Sequence, residues 1–448
     1  RRVLFRSDAG WWFLAQEVTS DELVFPVRLT DWEDGGKWRV LYQHDWNNNV
    51  DAVNSMWAHM YDGVFEANKA IDELLPFASI EAAKINIAKL KTLRAFYYYL
   101  LMDNYGNVPY VTSFYTAESQ PKKTPRETIY NNLISDLKES VPYLAVSTKK
   151  YAVSKGLAYS ILAKLYLNAE VYTGTARYNY ALTYAKKVID EGGYSLDPNF
   201  VHMFSGDNNT SPEIIYPLIA DPIVSQSYGN TTYIVNGSMS TNTMTISQFG
   251  ATDGWSGHRA TKAWYGLFGD LGTSTDVRAS LFWTTGHTYE MGDYKEWTNG
   301  YPSVKFRNSN FNSSSVPTSF SGTDFPLFRL ADAYLMYAEC VVRGATGGSM
   351  TQAVDYVNQI RTRANASTIT AGDLDLNFIL DERGRELTME GHRRTDLIRF
   401  GKFTGGSYLW PWKGNVQNGT AIPSTYNVFP IPVKALEANP NLTQNPGY

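Results

Sequence analysis

The chain has 448 residues, and its 40 Lys and Arg against 44 Asp and Glu give a formal net charge of −4. This balance argues against a nucleic-acid binder, which would carry a basic stripe, and a hydrophobic content of 43% excludes wholesale disorder. No apolar run approaches the ~20 residues that a membrane-spanning helix needs. Aromatic residues reach 14% while charged residues are only 19%, a composition suited to stacking on flat, neutral, hydroxylated ligands.

The first seven residues do not resemble the start of a protein. They read Arg-Arg-Val-Leu-Phe-Arg-Ser without an initiator Met, which is the translation of a common sequencing adapter. We therefore expect residues 1–7 to be an assembly artefact, outside the fold, and we expect the natural N-terminus to be missing.

From 51 to 191 the hydrophobic pattern is helical. Apolar side chains recur at helical spacing at Leu90, Leu93, Tyr97 and Leu100, at Leu157, Ile161 and Leu165, and at Leu182, Ala185 and Val188. The pattern predicts a pair of helices over 128–137 and 154–168, followed by a helix over 178–189. Small residues between them allow close packing, and the zone is similar to a tetratricopeptide-type helix-turn-helix array with an irregular period.

From 197 to 328 the periodicity fades and Ser, Thr, Asn and Gly dominate. Long loop-rich regions inside an ordered protein are usually functional. The helical pattern returns over 329–400, and 401–448 is irregular. No linker or composition shift divides the chain, so we predict one mainly α domain over 8–448. Its two helical zones would form one scaffold of tetratricopeptide-like helix pairs, with the loop-rich zone inserted between them.

Catalytic and metal-binding motifs do not emerge. The six His residues stand at no metal-ligand spacing, and the chain has no phosphate-binding loop, dinucleotide fingerprint or G-x-S-x-G. A single cysteine, Cys340, excludes a disulfide within the chain. The acidic cluster at 381–386 is interleaved with Arg, which predicts an ion-paired helix. We therefore predict no catalytic residue, no metal site and no cofactor, with a structural Ca²⁺ in the loops left open.

The stretch 31–46 carries a different chemistry. Trp32 and Trp38 stand beside Asp31, Asp34 and Arg39, so flat apolar rings alternate with planar hydrogen-bonding groups. Pyranose C–H faces stack on indole rings, while carboxylate and guanidinium groups bridge neighbouring hydroxyls. The pattern therefore favours sugar recognition, and ordinary core packing is the alternative for each Trp.

The aperiodic central zone adds a second set of aromatic residues. Its members stand among polar residues with few aliphatic neighbours: Trp255, Trp264, Tyr265, Trp283 and Trp297. A core would more naturally use Leu, Ile and Val there, so we predict that at least two of these Trp rings are exposed. The run 97–99 and Tyr166, by contrast, lie in apolar helical stretches and are predicted to pack.

A series of longer motifs runs in order along the chain. They are Thr-Ser-Asp-Glu at 19–22, Arg-Ala-Phe-Tyr-Tyr at 94–98, Asp-Asn-Tyr-Gly-Asn-Val-Pro at 103–109, Ala-Lys-Leu-Tyr-Leu at 163–167, the run 329–339, Asn-Gln-Ile-Arg-Thr-Arg-Ala at 358–364, Glu-Arg and Glu-Leu at 382–387, the run 390–399, Phe-Pro-Ile-Pro at 429–432 and the ending 439–448. Together they resemble the SusD/RagB family of outer-membrane nutrient-binding proteins of Bacteroidota, over essentially the whole of 8–448.

This resemblance implies a fold, a location and a partner. The fold would be SusD-like, with helix pairs as scaffold and loops as ligand face. The protein would be a surface-exposed outer-membrane lipoprotein, anchored through a lipidated Cys upstream of Asp8 in the missing segment. It would bind oligosaccharides without catalysis, deliver them to a SusC-like TonB-dependent transporter and bind no nucleic acid.

The resemblance also implies which residues bind ligand. In such proteins they come from the N-terminal segment and the central loops, which here contain Asp31, Trp32, Asp34, Trp38, Arg39, Trp255, Trp264, Tyr265, Trp283 and Trp297. The shared motif residues Arg94, Glu339, Arg393 and Asp396 would instead maintain the scaffold, with ionic partners three or four positions away on their helices.

Three alternatives remain at this stage. A RagB-like relative would capture peptides. A helical glycoside hydrolase would place two facing carboxylates among the aromatic rings, and Asp31, Asp34, Asp253 and Glu296 are the acids to examine. A plain tetratricopeptide scaffold would offer a concave helical face to a protein partner and no clustered exposed Trp.

Overall fold

The computed structural model describes residues 10–25, 27–28, 30–224 and 226–448. Residues 1–7, for which an artefact is predicted, lie outside the described residues. No helix of the described residues is long and apolar enough to cross a membrane.

The described residues are mainly helical, as predicted. Their α-helices are α1 (Gly10–Glu17), α2 (Arg39–Gln43), α3 (Asp51–Leu74), α4 (Glu81–Tyr105), α5 (Arg126–Ser140), α6 (Lys155–Leu167), α7 (Ala169–Thr173), α8 (Tyr178–Glu191), α9 (Asn230–Gly237), α10 (Lys262–Tyr265), α11 (Leu330–Val342), α12 (Met350–Arg363), α13 (Leu376–Glu386), α14 (Arg393–Arg399) and α15 (Val433–Ala438). Within the described part of the aperiodic zone 197–328, the regular elements are α9, α10, short 3₁₀ turns and strands.

The strands are short and form antiparallel two-stranded pairs. They are β1 (Leu23–Val24) with β5 (Arg259–Ala260), β2 (Val108–Pro109) with β3 (Lys123–Thr124), and β4 (Ile214–Leu218) with β6 (Phe325–Arg329). The β1–β5 pair joins the N-terminal segment to the central zone, and the β4–β6 pair closes the central zone onto α11. Both pairs therefore fix the loop-rich insertion to the scaffold.

The helices pack against one another in pairs, but the pairing differs from the prediction. Helix α5 packs chiefly against α4, and α6 packs chiefly against α8, which in turn contacts α11. The predicted pair of 128–137 with 154–168 is thus a minor contact. Close approach of α3 to α4 requires Gly63, because a Cβ there would lie 2.3 Å from the Tyr97 ring. Tyr97, Tyr98, Tyr99 and Tyr166 are buried, which confirms their packing role.

A buried ion network lies where β6 meets α13; we define it by Arg329, Glu213, Glu386, Glu390 and Lys305. Arg329 binds all three glutamates at 2.6–2.8 Å, and Lys305 Nζ lies 2.7 Å from Glu390 Oε1. All five side chains are at most 1% exposed. Charges removed from water at this depth are tolerated only when they are paired, and here every one has an opposite charge.

Electrostatics in and beside this network favour the ionised glutamates. Burial alone would raise the pKa of Glu386, but Arg363, Arg329 and Arg278 together hold it well below its ordinary value. Burial likewise opposes ionisation of Glu382, and Arg278, Arg385 and Arg361 lower its pKa to about 2. The prediction of an ion-paired helix at 381–386 is confirmed, and its partners come mostly from other elements.

The four predicted scaffold residues are all engaged in ion pairs. Glu339 pairs with Arg343, four positions away, and Asp396 pairs with Arg399, three positions away. Arg94, however, binds Asp136 of α5 at 2.6 Å.

Arg393 departs further from the expected spacing. Its guanidinium binds both carboxylate oxygens of Asp21 at 2.7 and 2.8 Å. This bidentate contact spans 372 positions of the chain. Prediction from helical spacing is therefore right for two of the four residues and wrong for Arg94 and Arg393, whose partners are set by tertiary packing.

Candidate functional site

The segment 30–38 folds into a tight turn with strained backbone. Trp32 has φ 59° and Asp34 has φ 38°, and both adjacent glycines, Gly35 and Gly36, also have positive φ. A left-handed backbone at a bulky residue such as Trp32 costs energy and persists only where the surroundings impose it. Such strain concentrates at functional sites, so this turn is a candidate for one.

Trp38 forms the floor under this turn. Its ring stacks on Trp11 and Phe25, with centroids 5.1 and 5.5 Å away, and Trp32 meets it edge-on at 5.4 Å. The Trp38 indole N–H donates to Asp34 Oδ2 at 2.7 Å. Trp38 is only 8% exposed, so its predicted ligand role is corrected to that of a support, because its ring faces are covered by protein.

The loop 253–257 packs directly onto the turn. The indole N–H of Trp32 donates to the backbone carbonyl of Trp255 at 2.8 Å, and a Cβ at Gly257 would lie 2.8 Å from the Trp32 ring. Ser256 also has positive φ, at 49°. The N-terminal and central sets of predicted residues, more than 200 positions apart in sequence, thus meet at one place.

From this junction a row of rings extends over the surface. Tyr228 lies 6.2 Å from Trp255 and 5.0 Å from Phe320, and it is 66% exposed. On the other side Trp297 lies under the guanidinium of Arg28, which is 5.7 Å from its ring centroid. We call Trp32, Trp255, Tyr228, Phe320 and Trp297 the aromatic face.

Arg28 connects the turn, the loop 253–257 and the Trp297 ring. It donates to the Ser256 carbonyl at 2.8 Å and pairs with Asp31 while lying over Trp297. The Trp297 indole N–H donates to Thr243 Oγ1 at 2.9 Å. The three Trp rings of the aromatic face are therefore each held by a hydrogen bond from the indole N–H at the ring edge, and Tyr228 is the most exposed of its rings.

Acidic groups border the rings with acceptor oxygens available. In both Asp31 and Asp34, Oδ2 receives the protein donors, which are Arg28 for the first and Trp38 and Lys37 for the second. Among the hydrogen bonds of the described residues, Oδ1 of each receives none. Asp253 accepts from the Gly254 amide and from the indole N–H of Trp255. Exposed carboxylates fixed in this way can accept hydrogen bonds from sugar hydroxyls.

Arg39 lies beside the aromatic face in the wall of an open cavity. The cavity has a volume of about 560 Å³, and its walls are formed by Val27, Glu33, Arg39, Gln43, Tyr294 and Lys295. The Arg39 guanidinium binds Glu33 at 2.9 Å. Arg39, a predicted ligand residue, thus lines this cavity, and its positive charge is paired with Glu33.

Three predicted residues of the central zone lie elsewhere. Trp264 is 2% exposed and packs on Phe282 at 4.7 Å, and Tyr265 is fully buried among Tyr289 and Tyr301. Their predicted ligand roles are corrected, since neither ring can reach a ligand.

Trp283 is half-buried and packs on Phe249. Trp255 and Trp297 are half-buried as well, so the prediction that at least two of the central Trp rings are exposed is wrong, because aromatic and loop residues from other segments cover part of each ring. No ring contact joins Trp283 to the aromatic face within the described ranges. The remaining central residues, Trp255 and Trp297, together with Trp32, Asp31, Asp34 and Arg39, stay predicted ligand residues.

Sequence reasoning missed Tyr228, Phe320 and Arg28. Tyr228 lies in the polar run Ser-Gln-Ser-Tyr-Gly-Asn, so the signal used for the Trp residues, an aromatic residue among polar ones, would have found it. Phe320 is likewise an aromatic residue among polar ones, in the run Thr-Ser-Phe-Ser-Gly. The pairing of Arg28 with Asp31 is local, but its contacts with Ser256 and Trp297 join positions more than 200 residues apart and could not be inferred from the sequence.

Two buried histidines are uncharged at neutral pH, and one of them lies close to the aromatic face. His258 lies beneath it, 5.6 Å from the Phe25 ring, and burial lowers its pKa to about 4. Burial lowers the pKa of His44 to about 3. Cys340 is buried far from solvent. Among the described residues, no group of three His, Cys, Asp or Glu side chains could hold a metal ion.

Comparison of the sequence with protein families gives two matches. A family described as "SusD family" matches residues 279–448, and one described as "Starch-binding associating with outer membrane" matches residues 25–167. Among curated proteins, the chain is 30% identical to the starch-binding protein SusD of Bacteroides thetaiotaomicron, over 97% of this chain and 85% of that protein. It is 24% identical to SusD-like protein P38 of Formosa agariphila, over 90% and 82% of the two chains.

Comparison with solved structures shows the same fold. A SusD superfamily protein from Parabacteroides distasonis superposes with a TM-score of 0.81 at 25% identity, covering 100% of this chain and 96% of the other. A laminarin-binding SusD-like protein superposes with a TM-score of 0.77 at 23% identity, covering 100% and 96%. The surface glycan-binding protein A of Bacteroides fluxus gives 0.77 at 20% identity, covering 97% and 93%. The mainly α, SusD-like fold class is confirmed.

Proposed function

Because the chain belongs to the SusD family, we propose that it binds glycans at the outer membrane without altering them. The observation that carries the proposal is the aromatic face. There, two segments distant in sequence bring together Trp rings with hydrogen-bonded edges, and exposed carboxylates lie beside these rings. Its relatives are named starch-binding, laminarin-binding and surface glycan-binding proteins, and a protein with this face is suited to the same class of ligand.

The acids of the aromatic face support binding over hydrolysis. A glycosidase needs one carboxyl group held protonated in an apolar pocket opposite an ionised one. Asp31 and Asp34 are instead more than half exposed and lie beside Arg28 and Lys37. Asp253 and Glu296 are exposed as well. This arrangement favours carboxylates that accept hydrogen bonds from hydroxyls.

The experiment is affinity electrophoresis through gels that contain a panel of plant, host and microbial polysaccharides. We expect one neutral glycan to retard the protein, Trp255→Ala to abolish the retardation, and no reducing ends to be released. Trp283→Ala is the matched control, because it removes a half-buried Trp of the same zone that lies outside the aromatic face. Retardation lost in Trp283→Ala and kept in Trp255→Ala would refute the assigned site, and released reducing ends would refute the non-catalytic role.

We also propose that the bound glycan passes to a SusC-like TonB-dependent transporter and that a lipid anchor upstream of this sequence holds the protein on the outer membrane. Support comes from family membership and from the matching family described as associating with the outer membrane. The test is purification of the tagged full-length protein from outer membranes. We expect a TonB-dependent transporter to co-purify in a fixed ratio, and recovery of the protein alone from detergent would count against this partner.

A further inference from the structure

The charges around the aromatic face are not evenly available to a ligand. The turn carries three ion pairs of its own, Arg28–Asp31, Lys37–Asp34 and Arg39–Glu33. Each cation there already lies against a carboxylate. An anionic substituent on a ligand would have to replace that carboxylate and would meet its negative charge at short range.

A buried cation on the central side is also unavailable to a ligand. Arg259 follows the loop 253–257 in sequence, is fully buried, and donates to the backbone carbonyls of Tyr294, Glu296 and Asn299. It cannot reach a ligand on the surface. Lys295 lines the open cavity, where it shares the wall with Glu33.

Asp253 is an exposed charge beside the Trp255 ring and has no ion pair among the described residues. Its two oxygens accept from the Gly254 amide and the Trp255 indole N–H, so its carboxylate is fixed at the edge of the Trp255 ring. The uncompensated field that a ligand meets on this ring is therefore negative.

We infer that the aromatic face selects uncharged glycans, and that Asp253 is a specificity-determining residue that excludes uronic-acid and sulfated sugars. The inference rests on the proposed function and adds the chemical class of the ligand. A neutral sugar stacks on Trp255 and donates hydroxyl hydrogens to the surrounding carboxylates. An anionic sugar that stacks at the same place brings two like charges together in a partly desolvated site, which is unfavourable.

The test compares two forms of one polymer. The probes are the neutral polysaccharide that retards the protein and the same polysaccharide after oxidation of its primary alcohols to carboxylates. At low salt we expect the oxidised form to bind about tenfold more weakly, and we expect the difference to shrink in 0.5 M salt because charge repulsion at the surface is screened.

The deciding variant is Asp253→Asn, which removes the charge and keeps an oxygen for the Trp255 N–H. The measured quantity is the ratio of the affinities for the neutral and the oxidised polymer in the same variant, which we expect Asp253→Asn to reduce from about tenfold to less than about threefold, whatever the loss of a hydrogen-bond acceptor costs in binding of the neutral polymer. Glu81→Gln is the matched control, because it alters the net charge equally at an exposed site in the first turn of α4, and we expect it to leave this ratio unchanged.

Two results would overturn the inference. One is equal binding of the neutral and oxidised polymers to the unaltered protein. The other is a preference that neither salt nor Asp253→Asn reduces, since this would reflect a lost primary hydroxyl and not charge. In both cases binding to the neutral polymer still stands, whereas absence of binding to every polysaccharide would refute the proposed function itself.

Discussion

In the buried ion network, Arg329 binds three glutamates at most 1% exposed, whereas on the aromatic face Asp31 and Asp34 each keep one oxygen without a partner among the described residues. The network lies among the family's shared motifs, and its polar groups are engaged with each other. The aromatic face lies on a strained turn and on loops. The difference teaches that charge in the first region maintains the fold, and charge in the second is available for a ligand.

The largest effect is expected from breaking the network at its centre. Arg329→Met removes the one cation of the described residues that contacts all three buried glutamates, Glu213, Glu386 and Glu390, so we expect the free energy of unfolding to fall by about 3–5 kcal/mol. Urea unfolding measures it. The folded fraction should still be retarded by glycan, and a loss below about 1 kcal/mol would mean that the network contributes little.

A second pair of variants distinguishes a Trp of the hydrophobic core from a Trp of the aromatic face. Trp264→Ala removes a ring that packs on Phe282, and we expect a loss of about 3–5 kcal/mol of stability with glycan binding intact. Trp255→Ala should do the reverse and lose glycan binding at a smaller cost in stability. Both quantities come from urea unfolding and affinity electrophoresis of the same samples. Loss of glycan binding in a fully folded Trp264→Ala variant would mean that the binding surface includes Trp264 and that its assignment to the core is wrong.

These two Trp residues show where prediction from sequence reaches its limit. The helices are predictable because hydrophobic periodicity is a local property. Whether a Trp ring is covered depends on side chains that arrive from elsewhere, as Phe282 covers Trp264 and Trp11 covers Trp38. The location of the aromatic face in the N-terminal and central segments could be inferred, and the choice among its rings could not.

Acid–base behaviour provides a third test on the scaffold side. Glu17 and Glu22 are both buried, and burial, followed by the charge of Glu17, raises the pKa of Glu22 well above its ordinary value. The folded protein therefore holds a proton that the unfolded chain releases above pH ~4.5, so stability from this group falls as the pH rises through the raised pKa. Glu22→Gln removes that dependence.

We expect the free energy of unfolding of Glu22→Gln, relative to the unaltered protein, to increase between pH 5 and pH 8. Urea unfolding at several pH values measures it. Glu386 is the counterpart, because its pKa is held down by Arg363 and Arg329, and its stabilisation is present above pH ~4.5 and is lost below it. A pH-independent difference for Glu22→Gln would show that the pKa of Glu22 is not raised in the folded protein.

The smallest effect is expected where an ion pair is exposed. Lys187 Nζ lies 2.7 Å from Glu191 Oε1 on α8, with both side chains more than a third exposed. Lys187→Ala should change the free energy of unfolding by at most about 0.5 kcal/mol, because water and salt screen the pair. A change comparable to that of Arg329→Met would contradict the distinction between buried and exposed charge.

The bidentate contact between Asp21 and Arg393 also bears on the order in which the molecule forms. It closes a loop of almost the whole chain, and contacts of such long sequence separation form late and slowly. Arg393 must be translated before this contact can hold the segment that leads into the strained turn. A ribosome-bound or truncated chain that ends before α14 should therefore contain folded helices and yet be unable to hold a sugar.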